Sequence, residues 1–374
     1  MKIIQLIFAI GIAFTLSCTG GHPIAITVTN PSHIARQNEP VVVDFKKLQK
    51  TYPGIDLTNI AIADSSGKVL PTQIDDLNGD KKWDELVFLA DFAPKETRKF
   101  FLKRRREDAD GSDLSAKIWQ RLPEGGVRAM NLHQIEATSP ETQQRYAAVS
   151  WGSSEMAFQL RLDGSNSIAP FRPTGWTSKA DFPGIAGLAF WAEDRIFPPE
   201  NLYGFQCWIL ASGPVRSLVR LDFEDWKVGE NYYKVAWLIM QYTHSAVVEH
   251  RIYLKNLQKD SIFPTAITGL SVTPETAVIV DAEQGWLYAK FPKRVWGKTL
   301  AAAIIAPPSQ LASFQKSDAQ YLLPLRFTKD RPLRYFSWFK PSVQDNEAHT
   351  LPQQEVFFKQ LFERINTPLQ IHYQ

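Results

Sequence analysis

Three long segments in the middle of the chain alternate apolar and polar residues, and short turns separate them. The segments are Val215–Phe223, Tyr232–Tyr242 and Ala246–Leu254. A period of two residues sends successive side chains to opposite faces of an extended strand, whereas a helix repeats about every 3.6 residues. Consecutive long strands joined by short turns indicate a meander within a large antiparallel sheet or a stacked pair of sheets. The meander is therefore predicted to have one face in a core and one polar face.

Shorter alternating segments extend the mainly β class to the rest of the chain. A charged, turn-rich stretch at 103–117 is predicted to link a small N-terminal β-sandwich at 22–104 to a large antiparallel β-sandwich at 118–374. One short C-terminal helix is predicted at Gln353–Ile365, before Pro368. The other predicted strands are Ala25–Thr29, Val41–Phe45, Ile60–Asp64, Leu86–Ala90, Lys99–Leu102, Ala147–Trp151, Glu155–Leu162 and Gly204–Leu210.

The first 21 residues have the pattern of a signal peptide with a lipid-attachment cysteine. Lys2 gives a short positive segment, and Ile3–Leu16 form an apolar run without a charge. A small residue then precedes Cys18, as in a bacterial lipobox, although Thr15 replaces the usual aliphatic residue. We therefore expect export, lipidation of Cys18 and anchoring to a membrane on its periplasmic or cell-surface side. An ordinary signal peptide is the alternative.

The amino-acid composition narrows the classes of protein to which the chain can belong. Hydrophobic residues make up 44% of the 374, which suffices for a packed core and argues against a disordered chain. The net charge is only +3, with acids and bases interspersed, so the sequence gives little support to nucleic-acid binding. Cys207 is the one cysteine besides Cys18, so the mature chain is expected to have neither an intramolecular disulfide nor a cysteine metal site.

A short acidic segment resembles a calcium-binding loop. Its oxygen-bearing side chains stand at the first, third and fifth positions, and Gly79 allows a tight turn between them. The positions that hold Gly and Glu in an EF-hand differ, so a structural Ca²⁺ ion would need a later carboxylate. The alternative is a metal-free hairpin in which Asp and Asn side chains bond to nearby backbone N–H groups. The candidate ligands are Asp76, Asn78, Asp80, Asp84 and Glu85.

The polar face of the meander is the predicted site of chemistry. Guanidinium groups recognise carboxylates through paired hydrogen bonds, so an acidic sugar is the expected ligand. β-Elimination on a uronate needs its carboxylate neutralised and a nearby Tyr or His as base. A solvated ladder of salt bridges is the alternative for the charges, and a buried core histidine is the alternative for His250. The candidate catalytic residues are Arg216, Arg220, His244, Glu249, His250, Arg251 and Tyr253.

Hydrolysis by paired carboxylates is the chemical alternative. The pairs considered are Glu155 with Asp163 and Glu155 with Glu249, because their separation in space is not visible in the sequence. The chain has no nucleophile elbow, phosphate-binding glycine loop or zinc-binding HExxH motif.

Eight short motifs follow one another along the chain. They are Asn30–Val42, Val69–Asp80, Asp84–Phe88, Trp151–Glu155, Ala157–Arg161, Ser212–Ser217, Thr268–Gly269 and Arg364–Leu369. In this order they resemble the family called domain of unknown function 4861, and the resemblance spans most of the chain after the signal segment. It implies an exported protein of polysaccharide-degrading bacteria that acts on uronate-rich oligosaccharides by elimination or dehydration, with a sandwich like the mutarotase-type lyase domains.

The chain departs from the family pattern after residue 170. The Lys and the Gly-rich His segment of the family pattern are replaced by Phe171–Pro173 and Lys179–Gly184. A divergent member would bind an acidic oligosaccharide without turning it over, as a non-catalytic surface lipoprotein. The candidate substrate-binding residues are Trp151, Glu155, Arg172 and Trp176.

Overall fold

Antiparallel β-strands make up most of the protein in a computed structural model. The structure describes residues 24–55, 60–104, 114–124, 126–152, 156–162, 166–171, 187–199, 204–255, 263–295, 298–316, 320–328, 331–342 and 351–373. Within these ranges the strands form five sheets, and every pair of neighbouring strands that we describe below is antiparallel. The predicted mainly β, antiparallel fold class is confirmed.

The elements are numbered in chain order. The helices are α1 (Phe45–Thr51), α2 (Pro140–Gln143) and α3 (Leu351–Asn366). The strands are β1 (Ala25–Thr29), β2 (Arg36–Asp44), β3 (Ile60–Ala63), β4 (Val69–Leu70), β5 (Thr72–Asp75), β6 (Glu85–Phe92), β7 (Thr97–Arg104), β8 (Ser115–Arg121), β9 (Val127–Met130), β10 (Gln134–Ala137), β11 (Tyr146–Gly152), β12 (Ala157–Arg161), β13 (Ile168–Phe171), β14 (Ala189–Ala192), β15 (Arg195–Phe197), β16 (Phe205–Ser212), β17 (Arg216–Val228), β18 (Asn231–Tyr242), β19 (Val247–Lys255), β20 (Thr265–Ser271), β21 (Ala277–Asp281), β22 (Trp286–Val295), β23 (Lys298–Ile305), β24 (Gln315–Lys316), β25 (Gln320–Arg326), β26 (Leu333–Ser342) and β27 (Gln370–Tyr373).

The small sandwich is made of a five-stranded sheet, ordered β27-β1-β7-β3-β4, and a three-stranded sheet, ordered β2-β6-β5. Apolar residues from both sheets, including Ile26, Val41 and Phe88, share one core. Strand β27 pairs with β1, with Ile26 opposite Tyr373. The chain therefore returns to the small sandwich after α3, and at this end the structure differs from the predicted division at 118–374.

The large sandwich packs a nine-stranded sheet, ordered β10-β16-β17-β18-β19-β26-β23-β22-β21, against two five-stranded sheets. Alternate residues of β17, such as Val219 and Leu221, join the core between the layers, and Trp237 and Ile239 do so from β18. Each fully buried side chain of this size contributes about 1.5–3 kcal/mol relative to its exposed state. The residues between them in the sequence point to the outer face of the nine-stranded sheet.

Two parts of the protein cover that outer face. The small sandwich lies on it through Val87, which shares an apolar cluster with Val215 and Tyr242. Helix α3 lies on another part, where Phe358 and Leu361 pack against aromatic residues of β22 and β26. A cleft lies between the small sandwich and α3, and residues of both line it.

No helix within the described ranges is long and apolar enough to span a membrane.

Candidate functional site

Arg216 lies at the contact between the small sandwich and the nine-stranded sheet. Its Nε donates to Asp75 at 2.8 Å, its Nη2 donates to Glu85 at 2.7 Å, and its Nη1 donates to the Tyr242 hydroxyl at 3.3 Å. The side chain is fully buried. Because its donors are taken up by groups of the protein, Arg216 is a structural residue of this contact and is not open to a ligand.

Gln73 fixes the backbone at the same contact. Its side-chain oxygen accepts from the N–H groups of Val215 at 3.1 Å and Arg216 at 3.0 Å, and its amide nitrogen donates to the Arg216 carbonyl at 3.0 Å. A Cβ on Gly213 would lie 2.3 Å from the Gln73 oxygen. Glycine at this position therefore lets the small sandwich approach the turn before β17.

The network continues from Glu85 toward the cleft. Glu85 accepts from Arg251 Nη1 at 3.0 Å, Arg251 Nε donates to Glu249 at 2.8 Å, and Glu249 also accepts from Arg334 Nε at 3.0 Å and Nη2 at 2.8 Å. Carboxylates thus alternate with guanidinium groups along one line. Equal numbers of opposite charges compensate one another, as buried charges require. The members in order are Asp75, Arg216, Glu85, Arg251, Glu249 and Arg334; we call them the interdomain network.

Two glutamates of the interdomain network, Glu249 and Glu85, stay ionised. Burial alone would raise the pKa of Glu249, but the guanidinium groups of Arg251 and Arg334 lower it to about 2. For Glu85, burial is likewise outweighed by Arg216 and Arg251, which lower its pKa below the ordinary range. Neither carboxyl group is protonated near neutral pH, so neither is suited to act as a general acid.

Arg220 and Tyr253 lie farther along the same outer face and outside the cleft. Arg220 donates to both oxygens of Asp222, at 2.9 and 3.0 Å, and to the Leu77 carbonyl at 2.9 Å. Tyr253 packs against the apolar cluster that contains Leu218 and Met240, and burial raises the pKa of its phenol. A raised pKa leaves less of Tyr253 as phenolate near neutral pH, so this position does not favour proton abstraction by Tyr253.

His250 is buried in the core of the large sandwich. Trp237 Nε1 donates to its Nδ1 at 3.2 Å, so Nε2 carries the proton and donates to Ser337 Oγ at 2.9 Å. The ring stacks on Tyr335 with centroids 4.2 Å apart. Burial lowers the pKa of His250 to about 3, and the neutral ring has no access to a ligand.

His244 is exposed in the turn between β18 and β19 and lines the cleft. Its backbone is left-handed, with φ of 58°. Six residues of strand separate Val247, at the start of β19, from Tyr253, which corresponds to about 20 Å. The structure therefore places these two candidate bases in different parts of the molecule.

Trp151 lies in the core of the large sandwich, where its ring is 6.4 Å from that of Phe158. It is 1% exposed, so it offers no surface to a sugar. The other candidate substrate-binding residues, Glu155, Arg172 and Trp176, lie outside the described residues, as do Asp163 and the lipidation candidate Cys18.

The acidic loop between β5 and β6 is held by its own side chains. Asp76 accepts from the backbone N–H groups of Asn78 at 3.1 Å, Gly79 at 2.7 Å and Lys81 at 2.7 Å. Glu85 is turned away from the loop into the interdomain network. Among the residues that the structure describes, no three His, Cys, Asp or Glu side chains lie together as a metal site would require.

The cleft has a volume of about 1480 Å³ and lies between β2 of the small sandwich, α3 and the ends of β18, β19 and β26. Its wall is fixed because Ser32 Oγ donates to Glu363 at 2.9 Å and Arg364 pairs with Glu39. Cationic side chains outnumber acidic ones among the described lining residues, so the cleft suits an anion. The charged lining residues are Lys47, Arg251, Arg331, Arg334 and Arg364, against Glu39, Asp44 and Glu249.

Arg334 is the lining residue best placed to meet a ligand. Glu249 holds one edge of its guanidinium, and the group lies over the Phe336 ring, 5.3 Å from its centroid. Its side chain is 37% exposed, and its Nη1 makes no hydrogen bond to any residue in the described part of the chain. Sequence reasoning missed it because Arg334 meets Arg251 and Glu249 only through the pairing of β26 with β19.

Comparison with solved structures shows what the fold is similar to. A protein in the Glycosyl Hydrolase Family 38 from Enterococcus faecalis matches with a TM-score of 0.52 and 10% identity, over 94% of this chain and 47% of that chain. An alpha-mannosidase from Enterococcus faecalis V583 matches with a TM-score of 0.53 and 11% identity, over 94% of this chain and 46% of that chain. This chain spans about half the length of either, and the likeness concerns the fold.

A comparison with curated proteins gave no match. The family model described as "Domain of unknown function (DUF4861)" matches residues 28–171 and 183–371. These ranges contain the motifs that carry the resemblance in the sequence. The chain belongs to the DUF4861 family.

Proposed function

We propose that the protein binds uronate-containing oligosaccharides in the cleft and acts on them by β-elimination. The observation that carries this proposal is Arg334, a half-exposed guanidinium that Glu249 and Phe336 hold in place in a cleft with an excess of positive charge. An aligned guanidinium recognises a carboxylate through paired hydrogen bonds, and little freedom is lost on binding because the group is already fixed.

A saccharide is the proposed ligand for two reasons. The fold is similar to a Glycosyl Hydrolase Family 38 protein and to an alpha-mannosidase, which supports a carbohydrate without specifying one. The cleft itself is lined by both charged and apolar groups, which suits a chain with a carboxylate and ring faces.

The proposed reaction uses two groups of the cleft. Arg334 neutralises the sugar carboxylate, which acidifies the adjacent carbon. His244 takes the proton from that carbon, the electron pair forms a carbon–carbon double bond, and the carbon–oxygen bond to the leaving sugar breaks. The leaving oxygen takes a proton from water. Dehydration of a terminal sugar follows the same steps with hydroxide, protonated to water, as the leaving group.

Binding without turnover is the second candidate. It is favoured by the positions of Tyr253 and His250, because both lie outside the cleft. Of the three candidate bases, all of which the structure describes, His244 is the one that lines the cleft. Two arginines hold Glu249 in its ionised form, so it is not suited to be the general acid of a hydrolytic carboxylate pair.

An assay for product formation distinguishes elimination from binding without turnover. We would mix the protein with oligogalacturonates and follow ultraviolet absorbance for the unsaturated product, while calorimetry measures binding. His244→Gln should retain binding and lose the absorbance signal. Arg334→Gln should weaken binding by about 10- to 100-fold, the loss expected for a charge-assisted bond. Arg195→Gln removes an exposed arginine from β15, outside the cleft, and should change neither.

Four outcomes decide the proposal. New absorbance that depends on His244 supports the lyase. Tight binding of the wild-type protein without new absorbance supports the non-catalytic binder and overturns elimination. Cleaved product without absorbance indicates hydrolysis, and absence of binding overturns the acidic ligand itself.

We also propose that the mature protein is exported and carries a lipid on Cys18. The lipid would hold the small sandwich near the membrane, because β1 begins seven residues after Cys18. Cell fractionation of wild type and Cys18→Ala tests this. The wild type should sediment with membranes and the variant should not; equal distribution of both would refute lipidation.

A further inference from the structure

An aromatic side chain forms one wall of the cleft. Phe357 of α3 is 36% exposed and lines the cleft, and its ring lies 5.6 Å from that of Trp338. Neighbouring Phe358 faces the sheet and is buried, so Phe357 is not needed to fill the core beneath α3. An exposed aromatic ring inside a cleft is a surface on which a ligand can pack.

The aromatic wall and the guanidinium lie at different positions along the floor of the cleft. Trp338, which Phe357 contacts, and Arg334 lie on the same face of β26. Phe336 lies between them and is buried, so it continues the apolar floor of the cleft.

We infer that Phe357 forms a second subsite, which packs against the face of a sugar ring while Arg334 holds the carboxylate of another ring in the same chain. The C–H groups on one face of a sugar ring make an apolar surface that packs on an aromatic ring, and the hydroxyl groups at its edge stay in water. The ligand is therefore an oligosaccharide and not a single uronate. This inference rests on the proposed binding of acidic saccharides in the cleft.

The test compares a short and a long probe. Calorimetry would measure the affinities of galacturonate and trigalacturonate for wild type and for Phe357→Leu, which keeps an apolar helix-forming residue but removes the flat ring. Trigalacturonate should bind Phe357→Leu about 5- to 10-fold more weakly, the size expected for one stacking contact. Galacturonate, which reaches Arg334 alone, should bind both proteins equally.

Val356→Ala is the matched control, because Val356 is the neighbouring exposed apolar residue of α3, 55% exposed, and does not line the cleft. It should leave both affinities unchanged. Equal trigalacturonate affinity for wild type and Phe357→Leu would overturn the second subsite, while Arg334→Gln still reports on the proposed function. An equal loss for both probes would also overturn it. If wild type binds neither probe, the proposed function fails and the subsite fails with it.

Discussion

Glu85 gives the sharpest test of how the two sandwiches are joined. It accepts from Arg216 at 2.7 Å and from Arg251 at 3.0 Å, and its side chain is 14% exposed. Glu85→Gln keeps the shape but removes the charge that compensates two buried guanidinium groups. Breaking a buried ion pair by removing one partner costs about 3–5 kcal/mol. Because the glutamine oxygen still accepts one bond, we expect the free energy of unfolding to fall by about 3 kcal/mol.

That loss converts to a shift that calorimetry or circular dichroism can measure. An unfolding entropy of about 2.1 cal/mol/K per residue over 374 residues makes a loss of about 3 kcal/mol equal to a drop of about 4 °C in the thermal midpoint, if the two sandwiches unfold together. A separate first transition is expected if the small sandwich detaches before the large one unfolds.

Glu224→Gln is the matched control for this change. Glu224 pairs with Lys234 at 2.6 Å, but the two side chains are 40% and 42% exposed, so solvent screens the pair. Its midpoint should stay close to that of the wild type. If Glu85→Gln lowers the midpoint no further than Glu224→Gln, the interdomain network does not contribute to stability in the way we describe.

Three further predictions follow from the site. The pKa of Glu249 is lowered to about 2 from an ordinary value of 4.5, so its contribution to stability is complete above about pH 5 and is lost as the pH falls toward about 2. The free energy of unfolding should therefore fall less steeply with decreasing pH in Glu249→Gln than in the wild type, and identical pH profiles would refute this. Tyr253→Phe should leave any absorbance-detected turnover within about twofold of the wild type, because Tyr253 lies outside the cleft and burial raises the pKa of its phenol. Asp76→Ala removes the acceptor of three backbone N–H groups and should lower the thermal midpoint. The decrease should exceed that of Asp91→Ala, which removes the acceptor of one backbone N–H group. A midpoint that rises with calcium in the wild type but not in Asp76→Ala would show that the loop also binds Ca²⁺.

Local patterns predicted the strands because the information lies within each segment. The alternation at Val215–Phe223 corresponds to β17, which continues to Val228, and the predicted helix at Gln353–Ile365 lies within α3. Strand β17 extends beyond the alternating segment because a register shift between Phe223 and Trp226 interrupts the period of two. A prediction based on alternating residues therefore ends the strand too early.

The site was less visible because its contacts join distant parts of the chain. The alternation of apolar and polar residues placed Arg216 and Arg251 on a polar face. Their shared partner Glu85, however, precedes them in the sequence by 131 and 166 residues. Nothing near either arginine indicates that a second sandwich covers it. Arg334 and Phe357 meet the cleft through strand pairing and helix packing, so no local motif marks them as ligand-binding residues.

The pairing of β1 with β27 also sets how the fold would respond to mechanical force. Ala25, where β1 begins, and Tyr373, where β27 ends, lie at the same end of this antiparallel strand pair. A pull applied through these two points in opposite directions peels the two strands apart one backbone bond at a time, instead of shearing all of their bonds together. Traction between a fixed N-terminus and a load on the C-terminus would therefore open this sheet first, at low force, while the large sandwich stays intact.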